Sequence, residues 1–158
     1  MNDEKLRFLK REFIPLLKRI PAGTPPQWGK MSLQHMVEHL GAAVKIASGR
    51  MQLPGQPDPT TQEKSKAFLM TEKPFRENTR NPFLSEDIYP LRNHTLAAAI
   101  SELQAALLEF FALYEQDPGK RENNLIFGSL NYAEQVQLLY KHALHHLKQF
   151  GVEPTTYA

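Results

Sequence analysis

The sequence predicts an all-α protein, a four-helix bundle made of a single domain over residues 1–158. Three observations predict this fold. Apolar residues recur at the three- and four-residue spacing of an amphipathic helix in four long segments, which cover roughly residues 3–20, 33–48, 92–116 and 131–150. Prolines, glycines and capping residues separate these segments. No strand pattern of real length appears, so we expect the helices to bury their apolar stripes against one another.

The first two predicted helices are separated by a segment rich in proline and glycine. The first helix is expected to begin with Asp3 as its cap and to end near Ile20. The second follows Ser32, a good capping residue, and runs to about Ser48, where Gly49 is a plausible stop. Its predicted buried stripe consists of Leu33, Met36, Val37, Leu40, Val44 and Ala47.

Residues 51–90 have a different composition, because six of the twelve prolines of the chain lie there. A short helix is predicted around Gln62–Met70, with Thr60 or Thr61 as its cap, and the rest should be irregular. So long a connection between the second and third helices is usually a lid or the wall of a pocket, or else partly disordered. It also permits a crossover between the helices that it joins.

The third and fourth long helices occupy the second half of the chain. The third is predicted to begin near Arg92 or Asn93 and to end near Gln116, before an Asp-Pro-Gly sequence. The fourth begins at Asn131, with Glu134 placed three residues later to complete a capping box, and continues to residue 150.

The composition excludes several functional classes. Nineteen basic and seventeen acidic residues give a net charge of +2, without a run of like charge, so neither nucleic acid nor a membrane surface is an expected partner. The chain has no cysteine, which excludes disulfides, a cysteine nucleophile and thiolate-bound metals. The charged N-terminal residues do not resemble a signal peptide, and no segment reads as a membrane span. The expected location is therefore cytoplasmic.

Three histidines suggest where chemistry would occur. His142 and His146 are four residues apart, so one helix face can present both rings to a single ion, and His39 of the second helix could supply a third ring. All three lie on the flanks of the apolar stripes, between the interior and the surface. Three histidine ligands leave open positions for water or substrate, which is typical of a catalytic metal. The alternative is a pair of solvated histidines, because spacing alone does not show that the two helices meet.

Other polar residues near these positions are candidates for supporting roles. His35 and His145 lie further from the stripes and are expected to support the ligands or bind substrate, and Gln149 could donate or accept hydrogen bonds near the mouth of the site. Glu38 is a weaker candidate for an acid or base. No catalytic residue is assigned. A di-iron Glu-x-x-His pattern, His-Glu-x-x-His, a phosphate-binding glycine loop and G-x-S-x-G are all missing from the sequence.

Two segments resemble a known family. The C-terminal NNLIFGSLNYAEQVQLLYKHALHHLKQFGV and the earlier WGKMSLQHMVEHL are similar to the two halves of the motif of the DinB/YfiT-like metalloprotein superfamily, and TEKPFRENTRNPF is similar to a branch of unknown function. The resemblance implies an up-down-down-up bundle in which zinc or nickel is bound by His39, His142 and His146. Relatives include thiol-dependent transferases and isomerases, and dimers are common, so a homodimer is one expectation. One departure is that Asn123-Asn124-Leu125 stands where the branch often carries a His-Pro pair.

Two functional hypotheses follow. In the first, the protein is a divalent-metal-dependent enzyme, such as a thiol-dependent S-transferase or a hydrolase, that acts on a small molecule. Because the chain has no cysteine, a reacting thiol would come from a low-molecular-weight cosubstrate. In the second, the bundle binds a metal or a small ligand without turnover, for example in a stress response.

Overall fold

The computed structural model describes residues 2–77 and 89–153, and this part of the chain is mostly helical. The all-α expectation is therefore confirmed for the described residues. Residues 78–88 of the long connection, and with them part of the TEKPFRENTRNPF segment, lie outside the described residues.

The first predicted helix is continuous but is built in three parts. Helix α1 (Asp3–Arg7) leads into a π-helical turn (Phe8–Glu12), which leads into α2 (Phe13–Arg19). Pro15 explains the turn, because proline cannot donate a helical hydrogen bond and its ring crowds the carbonyl group four residues earlier. The wider π turn, in which the Phe13 amide donates to the Phe8 carbonyl, precedes this proline. The predicted cap is wrong by one residue, since Asn2 accepts from the amides of residues 4 and 5.

Helix α3 (Leu33–Ser48) matches the second predicted helix at both ends. The Ser32 hydroxyl accepts from the amide of His35 at 3.1 Å, and Gly49 ends the helix in the left-handed conformation with φ of 84°. A side chain at position 49 would be strained by this φ and would displace the flexible end of the Glu122 side chain. The backbone conformation therefore favours glycine here.

Helix α4 (Pro59–Leu69) begins three residues earlier than predicted. Asp58 caps it, instead of Thr60 or Thr61, because its carboxylate accepts from the amides of both threonines. Pro59 occupies the first helical position, where its missing N–H costs nothing.

Helix α5 (Leu96–Gln116) begins after Thr95, three or four residues later than predicted. The reason is that Glu38 of α3 accepts from the backbone amides of Arg92 and Asn93, at 2.8 and 3.0 Å. These two residues are thereby held outside the helix.

Helix α6 (Tyr132–Gln149) has the predicted capping box, in which Asn131 and Glu134 accept each other's backbone amides at 2.9 and 3.0 Å. Before it, β1 (Glu122–Asn124) and β2 (Gly128–Leu130) form a short antiparallel hairpin, with Glu122 opposite Leu130. The side chain of Asn124 closes the hairpin by accepting from the amides of residues 126 and 127.

The core lies where α3 packs against α5 and α6, while α1 contacts α6 and α2 contacts α5. Its most deeply buried side chains include Met36, Val37, Phe110, Tyr114 and Leu147. A second, smaller apolar cluster lies under α4 and joins Leu69, Leu130 and Leu138 to the partly buried Phe75 and Phe127. The contact between α3 and α6 brings the predicted histidine-bearing helices together.

Helix α5 is long and apolar enough to cross a membrane by length and composition alone, although polar residues interrupt its apolar sequence. One side of the helix, including Ile100, Leu103, Leu107 and Phe110, is buried in the core. Core helices pass the same test. Its length and composition therefore assign no membrane role.

Candidate metal centre

Three imidazole rings converge between α3 and α6. The Nε2 atom of His142 lies 3.0 Å from Nε2 of His39 and 3.0 Å from Nε2 of His146. All three ligand atoms lie within 4.8 Å of one another, a grouping that could hold a metal ion. The sequence therefore pointed to the three residues that the fold brings together.

Buried apolar neighbours determine where these rings lie. His39 follows Met36 and Val37 and precedes Leu40, all of which are buried in the core, so its ring is carried at the edge of the α3 stripe. On α6, the buried Ala143 and Leu147 place His142 and His146 at the edge that faces α3. His146 is 6% exposed, whereas His39 and His142 keep a larger part of their surface accessible.

Burial keeps all three rings uncharged. Burial, together with a smaller effect of the neighbouring histidines, lowers the pKa of His39 from 6.5 to about 4 and that of His146 to about 3. Burial and the other histidines hold the pKa of His142 well below its usual range. At neutral pH the rings are therefore unprotonated on one nitrogen, which is the form that binds a metal.

Gln149 fixes the proton of His146. Its Nε2 donates to the carbonyl of Trp28 at 3.0 Å, so its Oε1 must face His146, where it accepts from Nδ1 at 2.7 Å. With the proton on Nδ1, the Nε2 atom of a neutral His146 carries a lone pair directed away from Gln149. In metal-binding histidines the ring nitrogen that does not bind the metal typically donates such a hydrogen bond.

Two separate hydrogen bonds cannot account for both 3.0 Å contacts, and a single N–H of His142 could serve both only as a shared, three-centre bond. If His142 carries its proton on Nε2, it can donate to His146 but has no lone pair left for His39. If instead His39 donates to His142, the lone pairs of His142 and His146 face each other. A cation among the three atoms removes this conflict. Two nitrogens bound to one ion at about 2.1 Å are separated by roughly 3.0 Å at a right angle and about 3.4 Å at a tetrahedral angle, so the two 3.0 Å distances fit two ligands at about a right angle.

The loop before α3 is held against this centre. The amide of Gln27 donates to the backbone carbonyl of Gln149 at 2.7 Å, next to the Trp28 contact. Gly29 has a positive φ of 79°, and a Cβ atom there would lie 3.2 Å from Nε2 of Gln149. Gln149 is 4% exposed, so it is an interior support of His146, whereas the sequence suggested a position near the mouth.

His145 lies between two loops and is not on an outward face. Its ring packs against Trp28 on one side and Phe75 on the other, with centroid distances of 5.4 and 6.3 Å, and against His146 at 5.0 Å. The sequence places His145 further from the apolar stripe of α6 than the two ligands, and in the structure the loops cover that face of the helix. Burial lowers its pKa, against a hydrogen bond to the Phe75 backbone that raises it.

His35 and Glu38 have local partners at other places on α3. Nδ1 of His35 contacts the Ser32 hydroxyl at 2.6 Å, at the start of the helix. Glu38 accepts from the backbone amides of Arg92 and Asn93 and from the side chains of Gln34 and Asn93. Burial would raise the pKa of Glu38, but these hydrogen bonds outweigh it and lower the pKa to about 2. Glu38 is therefore a structural carboxylate that positions the start of α5.

The chain matches no family model, no curated protein and no solved structure in comparisons with them. The interpretation of the histidine centre therefore depends on its geometry, and membership of the DinB/YfiT-like superfamily stays a prediction.

Proposed function

We propose that this protein binds one divalent transition-metal ion, zinc or nickel, through His39, His142 and His146, and uses it to act on a small molecule. The observation that carries the proposal is the cluster of three Nε2 atoms with two 3.0 Å contacts to His142, which neutral imidazoles cannot satisfy as two separate hydrogen bonds. Imidazole ligands suit both metals, and the chain has no thiolate to compete.

The proposed reaction is a thiol-dependent S-transfer or a hydrolysis. When bound by three histidines, a divalent ion keeps open positions, where it polarises a carbonyl or lowers the pKa of a water or a thiol. The protein contributes rings that are already neutral at pH 7 and a Gln149 contact that directs the lone pair of His146. A thiol in this reaction would be a low-molecular-weight cosubstrate.

We propose that the fold is a four-helix bundle of the DinB-like type, in an up-down-down-up arrangement. The predominantly helical structure and the supply of ligands from α3 and α6 support this proposal. A cytoplasmic location, a homodimer, and the lack of nucleic-acid and membrane partners stay predictions from the sequence.

Binding without turnover is a second candidate, and one observation favours it. The residues proposed as acid or base partners are engaged elsewhere, because Glu38 accepts four hydrogen bonds and His145 is held between two loops. In this case the ion or a small ligand would stabilise the bundle, and no reaction would depend on it.

The metal content of the untagged protein tests the proposal. We expect about one zinc or nickel per chain in the wild type by mass spectrometry, and its loss in His39→Ala and His142→Ala. The exposed His94 provides a matched control, so His94→Ala should keep the ion. A wild type that binds neither metal after reconstitution would refute the site. Metal-dependent turnover in a panel of thiol-transfer and hydrolysis reactions, lost in His142→Ala, would decide between the two candidates.

A further inference from the structure

A second row of polar side chains runs along α6 beside the metal-binding row. Gln137, Lys141, His145 and Lys148 are spaced by four, four and three residues, so they share one face of the helix. The neighbouring row contains His142, His146 and Gln149. The second row has no place in the proposed chemistry, but all of its members contact one segment of the chain.

That segment is residues 68–77, which we name the strap. It contains the last two residues of α4 and the chain that follows them. Gln137 donates to the carbonyls of Leu69 and Thr71 at 3.0 and 3.1 Å, and Lys141 donates to those of Phe68, Leu69 and Thr71 at 3.1 to 3.3 Å.

The second half of the strap is also held against α6. The ring of His145 packs against that of Phe75, with centroids 6.3 Å apart, and Lys148 forms an ion pair with Glu77 at 3.6 Å. From the other side, Lys5 of α1 contacts Glu72 and Gln137, each at 2.6 Å. The strap is therefore attached to α6 along its whole length.

Lys141 has the most costly position in this row. It is 6% exposed, and burying an ammonium group is unfavourable unless hydrogen bonds replace its hydration. Three carbonyl oxygens do so, and the rings of Phe68 and Phe75 lie 4.6 and 5.0 Å from its Nζ. Two of the carbonyls, those of Phe68 and Leu69, belong to the C-terminal end of α4, where Phe68 also accepts from Thr71, so the lysine contributes to the cap of that helix.

The strap is separated from the histidine centre by a single ring. Phe75 packs on His145, and His145 packs edge-on against the ligand His146. Phe75 is itself stacked on Phe127 of the hairpin, with centroids 6.2 Å apart. A displacement of the strap would remove Phe75 and uncover the side of the centre that His145 occupies.

We propose that the strap is a latched wall of the histidine centre, that the second polar row of α6 is its latch, and that release of the latch opens the centre to solutes. One face of α6 then holds the metal site while the adjacent face controls access to it. The effect of releasing the latch on a bound ion rests on the proposed function, whereas its effect on the access of solutes to the three rings does not.

The variant Lys141→Met tests the latch, with Lys66→Met as its matched control. Methionine keeps the length and apolar character of the side chain and removes the donors. Lys66 also anchors α4, through Ser129 and Glu134 at 3.2 and 2.8 Å, but these contacts lie outside the strap. If the two variants have comparable melting temperatures, a difference in their histidine reactivity does not come from a difference in stability. Gln137→Leu is a second latch variant, which removes hydrogen bonds to two of the same three carbonyls without removing a charge.

The first readout is the rate at which diethyl pyrocarbonate modifies each histidine of the full-length protein after chelator treatment, located by mass spectrometry. We expect His142 and His146 to react roughly 10-fold faster in Lys141→Met and Gln137→Leu, because the loss of one buried hydrogen bond raises the population of the opened strap by about that factor. Lys66→Met should react as the wild type does, and the exposed His94 should react equally in all four proteins.

Hydrogen exchange shows whether the latch has been released. We expect the amides of residues 70–77 to exchange faster in both latch variants. If those amides exchange faster while His142 and His146 keep their wild-type reactivity, the strap is not a wall of the centre. If neither quantity changes, the second row is not a latch.

The second readout is the rate of zinc transfer to a chromogenic chelator. It should rise by a similar factor in Lys141→Met, with the stoichiometry unchanged. A wild type that binds neither zinc nor nickel would refute the metal proposal and leave the histidine reactivity to decide the strap proposal.

Discussion

The metal-free protein should lose stability steeply between pH 7 and pH 5. In the folded state burial lowers the pKa of His39 to about 4 and of His146 to about 3, and that of His142 is also lowered. In the unfolded chain all three return to about 6.5. Unfolding below pH 6.5 therefore takes up three protons that the folded state does not bind. The free energy of unfolding is therefore highest above pH 6.5 and falls as the pH drops from 6.5 toward the pKa values of the folded state.

The size of the effect follows from these values. Between pH 7 and pH 5, each histidine that stays neutral in the folded state and titrates near 6.5 in the unfolded state costs about 1.8 kcal/mol. For three histidines the loss is about 5 kcal/mol, with a slope that approaches 4 kcal/mol per pH unit near pH 5. Whole domains have a free energy of unfolding of about 5–15 kcal/mol, so this loss would unfold a marginal one.

Urea unfolding followed by circular dichroism, from pH 7.5 to 4.5 with a chelator present, measures this dependence. His142→Gln should remove about a third of the slope, and His94→Gln should leave it unchanged because His94 is exposed. A stoichiometric metal ion should raise the free energy of unfolding across this range and leave its slope unchanged, because the rings of the folded state bind no protons with or without the ion. A free energy of unfolding that stays level between pH 7 and pH 5 would show that the three rings are not buried and neutral, and the argument for a cation would fail with it.

Two further predictions concern the support of the site. Gln149→Leu should weaken metal binding by about 10- to 100-fold in a chelator competition, because His146 loses the acceptor of its Nδ1 proton, while an equal affinity would show that Gln149 does not orient the ring. Glu38→Gln should lower the free energy of unfolding by about 2 kcal/mol, because an amide cannot accept from four donors around it. Its metal content should equal that of the wild type, and loss of the ion would instead give Glu38 a role at the centre.

The helices were predictable because each one carries its own signals. The caps Ser32 and Asn131 and the stop at Gly49 are local features, and the structure has all three. The errors occur where a distant residue decides. Arg92 and Asn93 are excluded from α5 by Glu38, more than fifty positions earlier in the chain, and no local pattern records that contact.

The same reasoning explains what was predictable about the site. The spacing of His142 and His146, and the flank position of His39, follow from the periodicity of single helices. The position of His145 does not, because Trp28 and Phe75 come from loops whose paths the sequence does not specify. The latch formed by Lys141 was missed for a related reason, since a lysine among apolar residues of a helix is usually read as solvated.

Helix α6 carries more buried polar side chains than its packing requires. Gln135, Gln137, Lys141, His146 and Gln149 are all less than 9% exposed. Each such group is unfavourable in the interior unless it is hydrogen-bonded, and an apolar residue of the same size would pack at lower cost. Apart from the Oε1 atom of Gln135, the described buried side-chain nitrogen and oxygen atoms have hydrogen-bond partners. The partners of Gln137 and Lys141 lie in the strap and in α1. The partners of His146 and Gln149 lie in the histidine centre and in the loop before α3. A helix selected for stability alone would have replaced these residues with leucine or alanine. Their placement in two adjacent rows, one directed at the centre and one at the strap beside it, is better explained by a site whose ligands and wall must both be held in position.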